Sequence, residues 1–114
     1  MTAEIELLEG AIALLKKGWC QGVVARNAAG NATSTWSDAK QHCAIGAMMH
    51  VVALSPLLSC ACRQARRRLY SMVPDAITAF NDAEGRTAEE VIKLFEKALE
   101  SAKNGEEVPN ADAQ

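Results

Sequence analysis

The sequence predicts a mainly α domain, α+β at the margin, with about five helices and a short β-hairpin between the first two. Three observations carry that prediction. Apolar residues recur at helical spacing over most of the chain, and clusters of turn-forming residues separate those stretches. Hydrophobic residues fill 49% of 114 positions, whereas aromatics fill only 4%, so the core must be mostly Ala, Leu, Ile, Val and Met. That apolar content can offset the ordering entropy of one core. It excludes a wholly disordered, collagen-like, heptad-rich or disulfide-dense chain.

The first helix is expected over residues 3–17. Ile5, Leu8, Ile12 and Leu15 form one stripe, widened by Leu7, Ala11 and Leu14. Glu4, Glu6 and Glu9 near its start and Lys16 and Lys17 near its end complement the helix dipole. Gly18 is expected in the left-handed conformation just past the helix. Next, Val23–Arg26 favours an extended strand, and Asn27-Ala28-Ala29-Gly30-Asn31 is turn chemistry. Ala32–Thr35 is then expected to return as the second strand. Ser37 or Asp38 caps a helix over residues 38–54. From Cys43 to Leu54 this helix is apolar on nearly every face, which places it at the centre of the domain.

Ser55-Pro56 reads as a helix junction, because the residue before proline disfavours helical backbone. Residues 57–72 form the following helix, with Leu57, Leu58, Ala61, Ala65, Leu69 and Met72 inward. Pro74 opens a short helix from Asp75 to Phe80. Asn81–Gly85 reads as a loop, and Thr87-Ala88-Glu89-Glu90 is a capping box that opens a last helix to Ala102. Val91, Phe95, Ala98, Leu99 and Ala102 face inward there. Residues 3–103 are thus expected as a single domain and 104–114 as a disordered acidic tail.

The formal charge of −2 conceals a division. Residues 39–74 contain five bases (Lys40, Arg63, Arg66, Arg67 and Arg68) and no acid, whereas residues 75–114 contain ten acids against four bases. Internal pairing of the arginines with the acidic C-terminal helix is the expectation, and an acidic partner the alternative. The N-terminus lacks the basic and apolar regions of a secretory signal, so the four cysteines are expected as free thiols in the cytoplasm. Cys43–Cys62 is an uncharged run long enough for a membrane span. Gly46, His50, Ser55, Pro56 and Ser59 interrupt it and argue against the membrane.

Four short blocks carry a family resemblance. They are Gly18-Trp19-Cys20-Gln21-Gly22, Ala25-Arg26-Asn27 with Gly30, Cys43-Ala44-Ile45-Gly46-Ala47, and Phe80-Asn81-Asp82 with Gly85-Arg86-Thr87. In their order and spacing the chain resembles a domain-of-unknown-function family of small bacterial, often actinobacterial, and phage proteins, from Ile5 to Ala102. Phe80 stands where that family usually has Trp, and Val23-Val24 replaces an aliphatic-aromatic strand. The resemblance implies a shared fold, a cytoplasmic setting and a phage or prophage origin. It implies no activity.

Three constellations could carry chemistry. Cys20, then His42 and His50, then Asn81 and Asp82 follow the chain order of papain-like cysteine peptidases. Cys20, however, follows a helix C-terminus, where the dipole disfavours a thiolate. Cys43 and His50 lie two helical turns apart, with Cys60 and Cys62 close behind, and are the candidate metal ligands. No paired Cys-x-x-Cys supports them. Arg63, Arg66, Arg67 and Arg68 form a basic cluster without interleaved aromatics, apart from Tyr70. Asn81 or Asp82 could instead hydrogen-bond the Trp19-Cys20 segment, with Gln21 and Cys43 in the same structural motif.

The expected function is therefore a non-enzymatic interaction or regulatory module with a protein partner and no cofactor. A thiol- or metal-dependent enzyme using Cys20, Cys43 and His50 is the alternative, and weak nucleic-acid binding through Arg63–Arg68 the second. Nucleic acid and membrane are disfavoured as partners, and a homo-oligomer is left open.

Overall fold

Helix α1, Thr2–Lys17, is the element around which the others pack in the computed structural model, which describes residues 2–108. Leu7, Leu8, Ala11, Ile12 and Leu15 are buried along its inner stripe, and Ile5 and Leu14 pack at the margin. Helices α2 (Ala44–Leu54), α3 (Ser59–Tyr70) and α5 (Ala88–Lys103) all lie against α1. The short α4 (Ile77–Asp82) lies against α2 and α3. With the two-residue strands β1 (Ala25–Arg26) and β2 (Gln41–His42), the molecule is a mainly α fold of five helices and a minimal sheet.

The centre therefore falls on α1 rather than on α2. α2 buries Ala44, Gly46, Ala47, Met48 and Val51, but Met49 and Leu54 stay exposed. An apolar circumference did not dictate burial on all sides, because α2 has α1, α3 and α4 on only part of its surface.

The antiparallel sheet lies where expected, with a different return strand. β1 pairs with β2 in the register Ala25↔His42 and Arg26↔Gln41. The intended partner, Ala32–Thr35, contributes one bridge to Arg26 and the Thr33 N–H bond to the Ala25 carbonyl. Asn27 supplies the turn, its side-chain oxygen accepting from the N–H groups of Ala29 and Asn31. β2 prevails because it satisfies backbone groups on both sides. His42 N–H donates to the Gly18 carbonyl, the Cys20 N–H donates to the His42 carbonyl, and Cys43 N–H donates to the Val24 carbonyl.

That two-sided packing decides two glycines. A Cβ on Gly46 would lie 1.9 Å from the Val24 oxygen, and one on Gly18 would lie 2.4 Å from the Lys40 oxygen. Gly18 is thus required for close approach and does not adopt positive φ, contrary to expectation; Gly22, Gly30, Gly85 and Gly105 do.

Several helix boundaries shift. α2 starts at Ala44, capped by the Cys43 sulfur accepting from the Gly46 N–H, while Trp36–Asp38 makes only a 3₁₀ turn. Pro56–Leu58 also forms a 3₁₀ turn, which buries Leu58 and leaves Leu57 outward at 97% exposure. α4 begins at Ile77 rather than Asp75, because Ile77 and Asn81, four apart, bury one common face. Asn81 and Asp82 therefore end a helix instead of opening a loop. The capping box at Thr87 and Glu90 is present, and α5 buries Val91, Leu94, Phe95, Ala98, Ser101 and Ala102. Of the tail, residues 109–114 lie outside the described residues; Glu106 donates its N–H to the Ser101 carbonyl. No helix is long and apolar enough to cross a membrane among the described residues.

Candidate functional site

The Gly18–Gly22 segment and α4 meet in one polar knot centred on Asn81, which is 1% exposed. Trp19 Nε1 donates to Asn81 Oδ1 (2.7 Å), and the Ala44 N–H donates to the same oxygen (3.0 Å). Asn81 Nδ2 donates to the Cys20 carbonyl (3.1 Å) and to Asp82 Oδ1 (2.8 Å). All four hydrogen-bonding positions of the amide are thus used, two as acceptor and two as donor. Gln21 Nε2 donates to the carbonyls of Asn81 and Ala83, each at 3.0 Å, and Asp82 accepts from the Gly22 N–H at 3.0 Å. Arg26 closes the edge by donating to the Gln21 carbonyl. Phe80, beside the knot, carries the Arg86 guanidinium 3.8 Å above its ring centre, and Arg86 Nε donates to the Phe80 carbonyl.

Cys20 and Cys43 sit inside this packing. Burial pushes the Cys20 thiol above its ordinary pKa, with Cys43 and Asp82 adding to the rise and Arg26 opposing it. Burial also raises Cys43, against the hydrogen bond from Gly46. Cys20 points its sulfur at the Val23 carbonyl (3.6 Å), and among the described residues no hydrogen bond joins it to either imidazole. Asn81 is spent on Trp19, Ala44, Cys20 and Asp82, so the peptidase-like order does not become a Cys–His–Asn relay.

The two histidines find each other instead. His42 Nε2 and His50 Nδ1 lie 2.8 Å apart, and the Trp36 ring stacks with both, 6.2 Å and 5.1 Å between centroids. Burial lowers the pKa of each, and the neighbouring His50 lowers His42 further. Cys43 is the N-cap of α2, with its sulfur accepting from the Gly46 N–H, Cys60 is exposed and Cys62 half-buried; no group of three His, Cys, Asp or Glu is arranged for a metal among the described residues. Trp36 and the His42–His50 contact were not read from the sequence, since a 3₁₀ turn, a strand and a helix supply one ring each.

The arginines divide. Arg68, 3% exposed, forms a two-pronged pair with Glu4, from Nε to Oε2 (2.6 Å) and from Nη2 to Oε1 (3.0 Å). Its Nη1 donates to Ser101 Oγ (2.7 Å) and the Glu106 carbonyl (2.9 Å). The internal acid is therefore at the start of α1; α5 supplies a hydroxyl. Arg63 and Arg66 are exposed, Arg67 is half-buried, and none of the three has a carboxylate partner among the described residues. Ser59, Cys62, Arg63 and Arg66 line one surface depression on α3.

Fold and sites together define a small, mainly helical protein stapled by a buried asparagine knot. The chain belongs to a family of unknown function (DUF6197), whose model matches residues 1–101. The resemblance stated from the four sequence blocks is to that extent borne out. No curated protein and no solved structure matches the chain.

Proposed function

We propose that the protein is a non-enzymatic interaction module whose partner is another protein, presenting an acidic and apolar segment to the α2–α3 corner. The observation that carries it is the stretch from Leu54 to Arg67. Leu54 and Leu57 are 71% and 97% exposed there, and Arg63, Arg66 and Arg67 lack carboxylate partners among the described residues. Exposed leucines next to unpaired guanidinium groups match a partner that offers apolar side chains together with Asp or Glu. Free cysteines support a reducing cytoplasm. A bacterial or phage source belongs to the same proposal, as does a single folded unit over residues 3–103.

A photo-crosslinking residue at position 57, compared with one at the exposed Lys97 on α5, tests the proposal in cells. A discrete crosslinked protein is expected at 57 and not at 97, and it should disappear in the Arg63→Glu/Arg66→Glu variant. Equal crosslinking at both positions, or a product indifferent to the charge reversal, would refute it.

A further inference from the structure

A cleft of about 450 Å³ is lined by Leu14, Lys17, Trp36, Lys40, His42 and His50 among others. Its chemistry follows from the imidazole pair. Only one ring proton can occupy the 2.8 Å gap between His42 Nε2 and His50 Nδ1. His42 is 2% exposed, and its Nδ1 is buried without a partner. A buried N–H with no acceptor is costlier than an idle lone pair, so the His42 proton belongs on Nε2, donated to His50. His50 then carries its own proton on Nε2, which has no partner among the described residues and is available as a donor.

Two cations accompany that donor. Lys17 comes from the end of α1 and Lys40 from the segment before β2, and both are exposed. Neither has a carboxylate partner among the described residues, and no Asp or Glu lines the cleft. His50 contacts His42 and the Trp36 ring, and Lys17 and Lys40 line the same cleft. Leu14 and Trp36 supply an apolar wall. We infer that this cleft binds a small organic oxyanion, with Lys17, Lys40 and the His50 Nε2–H on the charged group and the Leu14–Trp36 wall on its carbon body.

Charge-assisted bonds from two ammonium groups and one imidazole fit a phosphate monoester or a carboxylate alike. The volume and the apolar wall favour an organic ion over a bare inorganic one. Burial lowers the His50 pKa, and an anion beside the ring would raise it. The inference is independent of the α2–α3 corner.

The experiment titrates the full chain with phenyl phosphate, benzoate and inorganic phosphate at constant ionic strength, following the His50 ring protons by NMR. Saturable shifts are expected with phenyl phosphate or benzoate, and whichever binds more tightly identifies the oxyanion class. Lys17→Ala/Lys40→Ala should weaken that binding by about tenfold or more with an unchanged Tm, because both side chains are exposed. Absence of a saturable shift with all three probes would overturn the site. So would parental affinity in the double variant. Inorganic phosphate binding as tightly as phenyl phosphate would overturn the assignment of the apolar wall.

Discussion

Replacing Arg68 with methionine tests what the buried ion pair contributes. Methionine keeps the length and most of the apolar stem of arginine, so the loss is chiefly electrostatic. In the parent, both oxygens of Glu4 are engaged by one guanidinium, and the two side chains are 1% and 4% exposed. Removing Arg68 leaves that carboxylate buried without a counter-charge, which typically costs about 3–5 kcal/mol. Ser101 loses less, because its hydroxyl still donates to Glu106 Oε1 at 2.8 Å. For 114 residues the unfolding entropy is about 0.24 kcal/mol per kelvin, so Tm should fall by about 12–20 °C. The companion variant Glu4→Leu/Arg68→Met removes both charges and should recover to within about 2 kcal/mol of the parent, since an apolar replacement of a buried pair is often neutral. Thermal unfolding by circular dichroism and urea titration at pH 7 reads both. An Arg68→Met loss under about 4 °C, close to 1 kcal/mol, would refute the reasoning. So would a double variant no more stable than Arg68→Met alone.

Gly46→Ala should cost at least about 2 kcal/mol by urea titration, because its Cβ meets the Val24 backbone at 1.9 Å. Gly10→Ala meets only the Val51 side chain at 3.0 Å and gains helix propensity, so it should stay within about 1 kcal/mol of the parent. Asn81→Asp keeps the shape but turns the Nδ2 donor into an acceptor facing the Cys20 carbonyl and Asp82. A loss of about 2–3 kcal/mol is expected, read as a lower Tm, and parental stability would contradict the knot. Stability should also fall as pH drops below about 6.5, the unfolded-state histidine value. Burial holds His42 and His50 below that value in the folded state, so the unfolded chain takes up more protons there. Tm measured at pH 7.5, 6.5 and 5.5 checks this, and His50→Gln should flatten the slope. Thiol labelling of the native protein near pH 8 should be fast for exposed Cys60 and slow for buried Cys20 and Cys43, whose pKa values are raised.

Much of the helical scaffold was legible because it is locally encoded. The α1 stripe and the Thr87–Glu90 capping box each occupy a few turns of chain, where period and cap chemistry suffice. The Trp19–Asn81 contact was legible for another reason: Gly18–Gly22 and Phe80–Asp82 both belong to the blocks that carry the family resemblance, although the two residues are 62 apart in sequence. The return strand was not. Ala32–Thr35 is nearer to β1 in sequence, but the segment 41–43 gains backbone partners from Gly18, Cys20 and Val24 at once. Such two-sided satisfaction has no signature in any window of sequence. The Trp36–His42–His50 stack escaped for the same reason, since no single period relates its three rings.

The arginine cluster shows how a charge count acquires meaning only from helix phase. On α3, Ala65 and Leu69 define the buried face, and Arg68 stands three residues after Ala65 on that side. It is drawn under the surface to meet Glu4, and the length of its stem makes that reach feasible. Arg63 and Arg66 fall on the outer face, where no acid of α5 comes within pairing distance among the described residues. The acids of α5 find other cations: Glu96 faces Lys16 at 3.9 Å, and Glu90 faces Arg86 at 3.4 Å. Both pairs lie at the surface and contribute little. The +5 of residues 39–74 thus resolves into one structural charge and a remainder left on the surface. That remainder lies beside the exposed Leu54 and Leu57 without carboxylate partners among the described residues, whereas the Arg68–Glu4 pair is neutralised internally.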